Sequence, residues 1–126
     1  MPARIETIDA HTLHDWIERD EALLIDVREA NEHARAHIPT AVLKPLSRLA
    51  SEALPEANGR RVVVCCASGA RSLMAADRML ANHYGSVCNL DGGIAAWQLA
   101  GYEIAQNENA AASAFPGLFS LFRSAG

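Results

Sequence analysis

The residues best suited to chemistry form one short run, Cys66-Ala67-Ser68-Gly69-Ala70-Arg71-Ser72. Residues 61–66 are mostly β-branched and apolar and predict a buried strand, while residues 71–83 predict a helix. A thiol at this junction faces the unpaired N–H groups and the positive dipole end of the helix, which favour the nucleophilic thiolate. Gly69 permits a left-handed turn, and Arg71 offers donors suited to an oxyanion. The run therefore predicts a cysteine that attacks or carries an anionic group; the alternative is a buried structural cysteine followed by a surface arginine.

Helix-like and strand-like segments alternate along the chain around this loop. Asp9 caps a predicted helix that ends near residue 19, and further helices are predicted at 29–36, 45–54 and 94–100. Strands are predicted at 22–27, 41–43, 61–66 and 86–90. The helix at 71–83 is expected to supply its apolar face from Leu73, Met74, Ala76, Met79 and Leu80. The alternation predicts an α/β fold with a mainly parallel sheet, in which ligands gather at the carboxyl ends of the strands, where Cys66 lies.

Composition restricts the class of protein. The chain has 126 residues, of which 50% are hydrophobic and 21% charged, and this suits one globular domain. A net charge of −4 argues against a general nucleic-acid binder. Three cysteines, two of them adjacent, make no disulfide framework. Without a signal-peptide stretch or a long apolar run, the sequence predicts a cytoplasmic protein, associated with a membrane only if the chain is a piece of a longer one.

The domain organisation changes near residue 105. Residues 1–105 are predicted to form the folded domain, and the polar, alanine-rich residues 106–113 predict a linker. The apolar tail at 114–126 contains all three phenylalanines, Phe115, Phe119 and Phe122, at helical spacing. Burial of each such side chain is worth roughly 1.5–3 kcal/mol. We therefore expect the tail to contact its own domain, a second copy of the chain or a membrane.

Four motifs resemble those of the rhodanese-like sulfurtransferases, and they occur in the order of that family. They are D-V-R-E at 26–29, Glu32 with H-I-P-x-A at 37–41, the active-site loop C-x-x-G-x-R-S at 66–72, and L-x-G-G-x-x-x-W-x-x-x-G at 90–101. Together they cover about residues 5–104. Ala36 and Thr40 stand where the family pattern has glycine. The resemblance implies a rhodanese-like α/β fold with a central, mainly parallel five-stranded sheet flanked by helices on both faces.

The resemblance also implies a reaction and the residues that perform it. Cys66 would take the outer sulfur of thiosulfate or of a persulfide donor, become a persulfide and pass the sulfur to cyanide or a thiol. The amides of the loop would cradle the persulfide, and Arg71 would orient the donor anion. Ser68 and Ser72 would add hydroxyl donors. The residues expected to bind the substrate are Ala67, Ser68, Gly69, Ala70, Arg71 and Ser72. Partners would be the small anionic donor, the acceptor and a sulfur-relay protein. No metal or organic cofactor is expected, because the persulfide itself holds the sulfur.

Two other functions stay open at this level. One is a non-catalytic rhodanese-like module that binds or regulates a partner protein. The other is phosphatase or arsenate-reductase chemistry, because Cys65 and Arg71 have the C-x5-R spacing of cysteine phosphatases. Ser68 stands where that family has glycine, however, and alternation along a strand directs Cys65 away from Cys66, which predicts a core role for Cys65.

Three further polar residues are predicted to support the site rather than to react. Asp26 and Arg28 are expected to fix the loop after their strand through charge-assisted hydrogen bonds, with contact to the substrate as the alternative. His37 is expected to be a packed hinge residue. The histidine pairs at 11/14 and 33/37 have helical spacing, but no third ligand of suitable spacing accompanies them, so no metal site is predicted.

Overall fold

The computed structural model describes residues 4–107. The elements are, in chain order, β1 (Arg4–Ile8), α1 (Ala10–Glu18), β2 (Ala22–Asp26), α2 (Ala30–Arg35), β3 (Val42–Leu43), a 3₁₀ helix (Leu46–Ser51), β4 (Arg61–Cys65), α3 (Ala70–Asn82), β5 (Ser86–Leu90) and α4 (Gly93–Leu99). The predicted tail at 114–126 and all but two residues of the predicted linker lie outside the described residues. Within residues 4–107, no helix is long and apolar enough to cross a membrane.

All five strands are parallel and form one sheet in the order β1-β5-β4-β2-β3. β2 and β4 lie inside it because they are apolar on both faces: every residue of β2 is buried, as are residues 62–65 of β4. The predicted α/β fold, with a five-stranded parallel sheet between helices, is confirmed. Its central strand, β4, ends at the loop that carries Cys66.

Two apolar clusters lie on the two faces of the sheet. One contains Cys66, the buried apolar residues of α3 and Leu49 of the 3₁₀ helix. The other contains Cys65 together with Leu13 of α1 and Trp97 of α4. The adjacent cysteines belong to opposite faces because successive side chains alternate across a strand. Helices therefore cover both faces, and Cys66 shares its face with α3.

Two elements differ from the sequence-based prediction. β1 is not predicted, because charged Arg4 and Glu6 interrupt its apolar residues; it is an edge strand that pairs along its whole length with β5. The helix predicted at 45–54 is a 3₁₀ helix over Leu46–Ser51 that follows Pro45. Both are short elements whose conformation depends on the neighbours against which they pack.

The apolar face predicted for α3 is wrong at two positions. Leu73 and Met74 are 46% and 55% exposed. The buried face instead follows Ser72, Ala75, Ala76 and Met79, at spacings of three, four and seven residues. Small alanine side chains let the helix approach the sheet closely, so residue size rather than hydrophobicity selects this face.

Candidate active site

Cys66 lies in a tight loop between β4 and α3. The loop turns at Gly69, whose φ of 110° is a left-handed conformation that favours glycine. This turn places the Gly69 N–H so that it donates a hydrogen bond to Cys66 Sγ at 3.0 Å. The left-handed turn predicted for Gly69 is therefore present, and it points a donor at the sulfur.

The surroundings of Cys66 favour its thiolate. Burial by itself raises the pKa of the thiol, but hydrogen bonds from the side chain and amide of Ser72 and from the amides of Gly69 and Ser68 outweigh it. The pKa of Cys66 is therefore lowered from its ordinary value. Ser72 Oγ lies 3.5 Å from Cys66 Sγ. Such a sulfur is ionised more readily than that of a free cysteine. The thiolate, which is the nucleophile, is therefore more populated at a given pH.

The start of α4 holds the other side of the loop. The Ile94 N–H donates to the Cys66 carbonyl at 2.9 Å, and the Ala95 N–H donates to the Ala67 carbonyl at 3.2 Å. Gly93 makes this approach possible, because a Cβ built on it would lie 2.3 Å from the Cys66 carbonyl oxygen. The N-terminal amides of one helix therefore fix the carbonyls of the loop, while the loop's own amides remain free to face the sulfur.

The remaining loop residues, Ser68 and Ala70, are exposed, and Ala70 is the first residue of α3. The side chain of Ser68 thus faces solvent, and its contribution to the sulfur comes from its amide. Small and exposed side chains on this loop leave the approach to Cys66 without a bulky or acidic group from the loop itself.

Arg71 is held in an ion pair. Its Nη1 and Nη2 atoms donate to the two carboxylate oxygens of Glu32 on α2, each at 2.9 Å. The Arg71 hydrogen bonds lower the pKa of Glu32 from 4.5 to about 2. Glu32 also accepts from the Glu29 amide at 2.8 Å as part of a capping box. The guanidinium that the sequence analysis expects to orient a donor anion is thus already paired with a carboxylate.

Asp26 organises a buried polar network behind α2. It accepts bonds from the Arg28 Nε and Nη2 atoms at 3.0 and 2.8 Å and from the Arg28 amide at 3.0 Å, and it pairs with His33 Nδ1 at 2.8 Å. Burial raises the pKa of Asp26, but bonds from Arg28 and His33 lower it below its ordinary value. Arg28 Nη2 also donates to the Ala36 carbonyl at 2.6 Å. These bonds tie the end of β2 to α2, and the supporting role of Asp26 and Arg28 stays a prediction.

His37 extends this network toward the end of the domain. Its ring stacks on that of His33 with 3.9 Å between ring centroids, and its Nδ1 atom bonds the His33 carbonyl at 2.6 Å. The backbone of His37 pairs with Ala105 in an antiparallel bridge. Burial lowers the pKa of His37 below its ordinary value. His37 is therefore packed between His33 and Ala105, and its role as a hinge stays a prediction.

Comparison with known proteins agrees with this geometry. The family model of the rhodanese-like domain matches residues 9–100. The chain belongs to the rhodanese-like domain family. A sulfurtransferase of Allochromatium vinosum is 34% identical to it over 105 residues, which are 82% of this chain and 98% of that protein. The predicted family is thereby confirmed, and its named members include sulfurtransferases.

Two more relatives agree with the assignment. An uncharacterized protein of Synechocystis is 36% identical over 104 residues, which are 82% of this chain and 58% of that protein, so the chain spans little more than half of this relative. The crystal structure of a rhodanese-related protein from Thermoplasma volcanium superposes with a TM-score of 0.70 and 26% identity, over 79% of this chain and 97% of that one.

Cys65 lies on the far face of the sheet from the site of this rhodanese-like domain. It is buried in the cluster that contains Leu13 and Trp97. Burial, followed by the charge of Asp26, raises the pKa of Cys65 well above its ordinary value. A thiol that is buried and protonated is a poor nucleophile, so the geometry disfavours the C-x5-R interpretation.

Two polar residues of the site are not predicted from the sequence. Glu32 is recognised there only as part of a motif, and its pairing with Arg71 across 39 positions is not predicted. Asn89 of β5 receives no role, yet it is buried and its Oδ1 atom accepts a hydrogen bond from Ser72. Asn89 could have been identified as an amide between apolar residues in a predicted strand. Such an amide is expected to be buried, and a buried amide needs a hydrogen-bond partner.

Proposed function

We propose that this protein is a sulfurtransferase that carries a sulfane sulfur on Cys66. The observation that supports the proposal is the set of donors around Cys66 Sγ, namely the amides of Ser68, Gly69 and Ser72 and the Ser72 hydroxyl. These groups stabilise negative charge on sulfur before any substrate arrives. The same charge appears on the terminal sulfur of a persulfide, which needs donors of the same kind.

The reaction is two nucleophilic displacements at sulfur. The Cys66 thiolate attacks the outer sulfur of thiosulfate; the new S–S bond forms as the old one breaks, and sulfite leaves with the electron pair. Cyanide or a thiolate then attacks the terminal sulfur of the persulfide, forms thiocyanate or a new persulfide, and returns Cys66 as thiolate. The two half-reactions balance without an external oxidant or reductant, so the persulfide is the only carrier required.

The proposal includes a class of donor and of partner. Thiosulfate or a small persulfide suits a loop of small side chains, and a sulfur-relay protein is a further donor or acceptor. Arg71 is the group that would meet an anionic donor, which must then share the guanidinium with Glu32. An arginine can accept this exchange because its five N–H donors exceed the two that the carboxylate uses.

Intact mass spectrometry tests the proposal. After incubation with thiosulfate or with glutathione persulfide, the protein should gain one sulfur atom, and cyanide should remove it. Cys66→Ala should abolish the gain, whereas the matched control Cys65→Ala should retain it, since Cys65 lies on the opposite face. Loading that survives Cys66→Ala, or that is lost in Cys65→Ala while that variant remains folded, would contradict the assignment.

A further inference from the structure

The Ser72 hydroxyl lies among three groups that can accept its proton. Its Oγ atom is 3.0 Å from the Gly69 carbonyl oxygen and 3.5 Å from Cys66 Sγ, and it is hydrogen-bonded to Asn89 Oδ1. Ser72 is completely buried. A hydroxyl has one proton and two lone pairs, so Ser72 donates to only one of the three groups at a time. The direction of this proton therefore depends on its neighbours.

Asn89 is the neighbour whose hydrogen-bonding character can change. It lies on β5, is only 4% exposed and is in register with Val64 of β4. Its amide carries an acceptor oxygen and a donor NH₂ on the same carbon, so a half-turn of the terminal torsion exchanges the two. A carboxylate at this position would only accept, and an aliphatic side chain would do neither. The residue type thus allows two hydrogen-bond arrangements at one position.

Each charge state of the sulfur favours one of these arrangements. When Cys66 is a thiol, its S–H donates to Ser72 Oγ, and Ser72 donates to Asn89 Oδ1, as in the structure. When the sulfur is negative, Ser72 must donate to the sulfur, and its oxygen would then face the oxygen of Asn89. Rotation of the amide relieves this repulsion, because the NH₂ group then donates to Ser72 Oγ.

We propose that Asn89 is a positioning residue that turns the Ser72 proton toward Cys66 when the sulfur is negatively charged. For the thiolate the proposal needs only the geometry; for the persulfide it rests on the proposed function. The charged and titratable groups that act on Cys66 are Arg71 of α3, which is paired with Glu32 of α2, and the Cys65 thiol of β4. The variants below leave all of them in place.

The pH dependence of Cys66 alkylation by iodoacetamide tests the proposal, with each cysteine followed by peptide mass spectrometry. Asn89→Leu keeps the number and branching of the side-chain heavy atoms and has no hydrogen-bonding group. In the thiol state Ser72 can still donate to the Gly69 carbonyl, but in the negative state Ser72 Oγ loses the group that donates to it. Alkylation at neutral pH should therefore slow by about three- to tenfold, the effect of one lost hydrogen bond, and its midpoint should move to higher pH. Asn89→Asp should move the midpoint further, because the carboxylate holds the Ser72 proton.

A second background, the variant Ser72→Ala, separates positioning from packing. It has no hydroxyl proton to direct, so Asn89→Leu should leave the midpoint of that background unchanged. If Asn89→Leu does not fold, Asn89→Asp replaces it in the experiment. Asn89→Asp should shift the midpoint of alkylation more when Ser72 is present than in the Ser72→Ala background. Equal shifts in the two backgrounds, or no shift with Ser72 present, would overturn the proposal.

The alkylation experiment needs no sulfur donor. A protein that shows the coupling between Asn89 and Ser72 but never gains sulfur from thiosulfate or a persulfide would contradict only the sulfurtransferase proposal. A protein that gains sulfur but shows equal shifts in both backgrounds would contradict only the role of Asn89. The two failures are therefore distinguishable.

Discussion

Gly93→Ala directly tests how α4 holds the loop that carries Cys66. The new Cβ would lie 2.3 Å from the Cys66 carbonyl oxygen and 2.7 Å from the Ala67 carbonyl carbon. The loop and the helix must separate by roughly 0.7 Å before the first contact reaches 3.0 Å, a distance below which real Cβ atoms essentially never lie. Overpacking of this kind costs about 1–3 kcal/mol. The left-handed φ of 59° costs about 1–2 kcal/mol more for any other residue.

We therefore expect Gly93→Ala to lower the free energy of unfolding by about 2–5 kcal/mol. Urea unfolding would measure this. Gly101→Ala is the matched control, since Gly101 has a φ of 84° and no atom within 4 Å of a built Cβ, so it loses only the conformational part. Separation of α4 from the loop should also displace Cys66 from its donors, and its alkylation at neutral pH should slow. Equal losses of stability in the two variants, with unchanged alkylation, would refute the contact between α4 and the loop.

Two further predictions concern the loop around α2. Thr40→Gly should raise the free energy of unfolding, measured with urea, by up to about 1 kcal/mol, because a β-branched residue at a φ of 74° is strained and glycine is not. Ala36→Gly is the control and should bring no gain, because Ala36 has an extended φ of −164°. A gain in stability for Ala36→Gly and none for Thr40→Gly would contradict the prediction. Glu32 has a folded-state pKa of about 2, below its ordinary 4.5, so its contribution to stability is complete above 4.5 and is lost as the pH falls toward 2. The difference in unfolding free energy between the wild type and Glu32→Gln should therefore shrink from pH 6 to pH 2, and a constant difference would show that the ion pair with Arg71 adds nothing.

The parts of the site that lie close together in the sequence are the parts that could be predicted from it. The strand, the small-residue turn at Gly69 and the helix after it are contiguous, so the donors near Cys66 follow from local pattern. The ion pair between Arg71 and Glu32 joins residues 39 positions apart, and the bond between Ser72 and Asn89 joins residues 17 positions apart. The residues near each partner in the sequence do not specify either pair. The order of the strands and the packing of α2 and α3 bring the partners together.

The same limit explains the wrong face of α3. Hydrophobicity selects Leu73 and Met74, but the sheet beneath the helix admits the small side chains of Ala75 and Ala76. How closely a helix approaches a sheet is a property of both surfaces. The spacing of apolar residues describes only the surface of the helix. It therefore gives the wrong buried face where the sheet accommodates an alanine rather than a leucine.

The ion pair between Arg71 and Glu32 affects how negative charge on Cys66 is stabilised. Because Glu32 balances Arg71, the negative sulfur of Cys66 is held mainly by dipoles, namely the amides of Ser68 and Gly69 and the Ser72 hydroxyl. Dipoles fixed by the fold act at short range, need little reorganisation when charge develops and are not screened by salt as a surface charge is. The side chain of Arg71 is 38% exposed, so the proposed anionic donor would meet it in competition with Glu32. Ionisation of the sulfur should accordingly be insensitive to ionic strength even if capture of the donor is not.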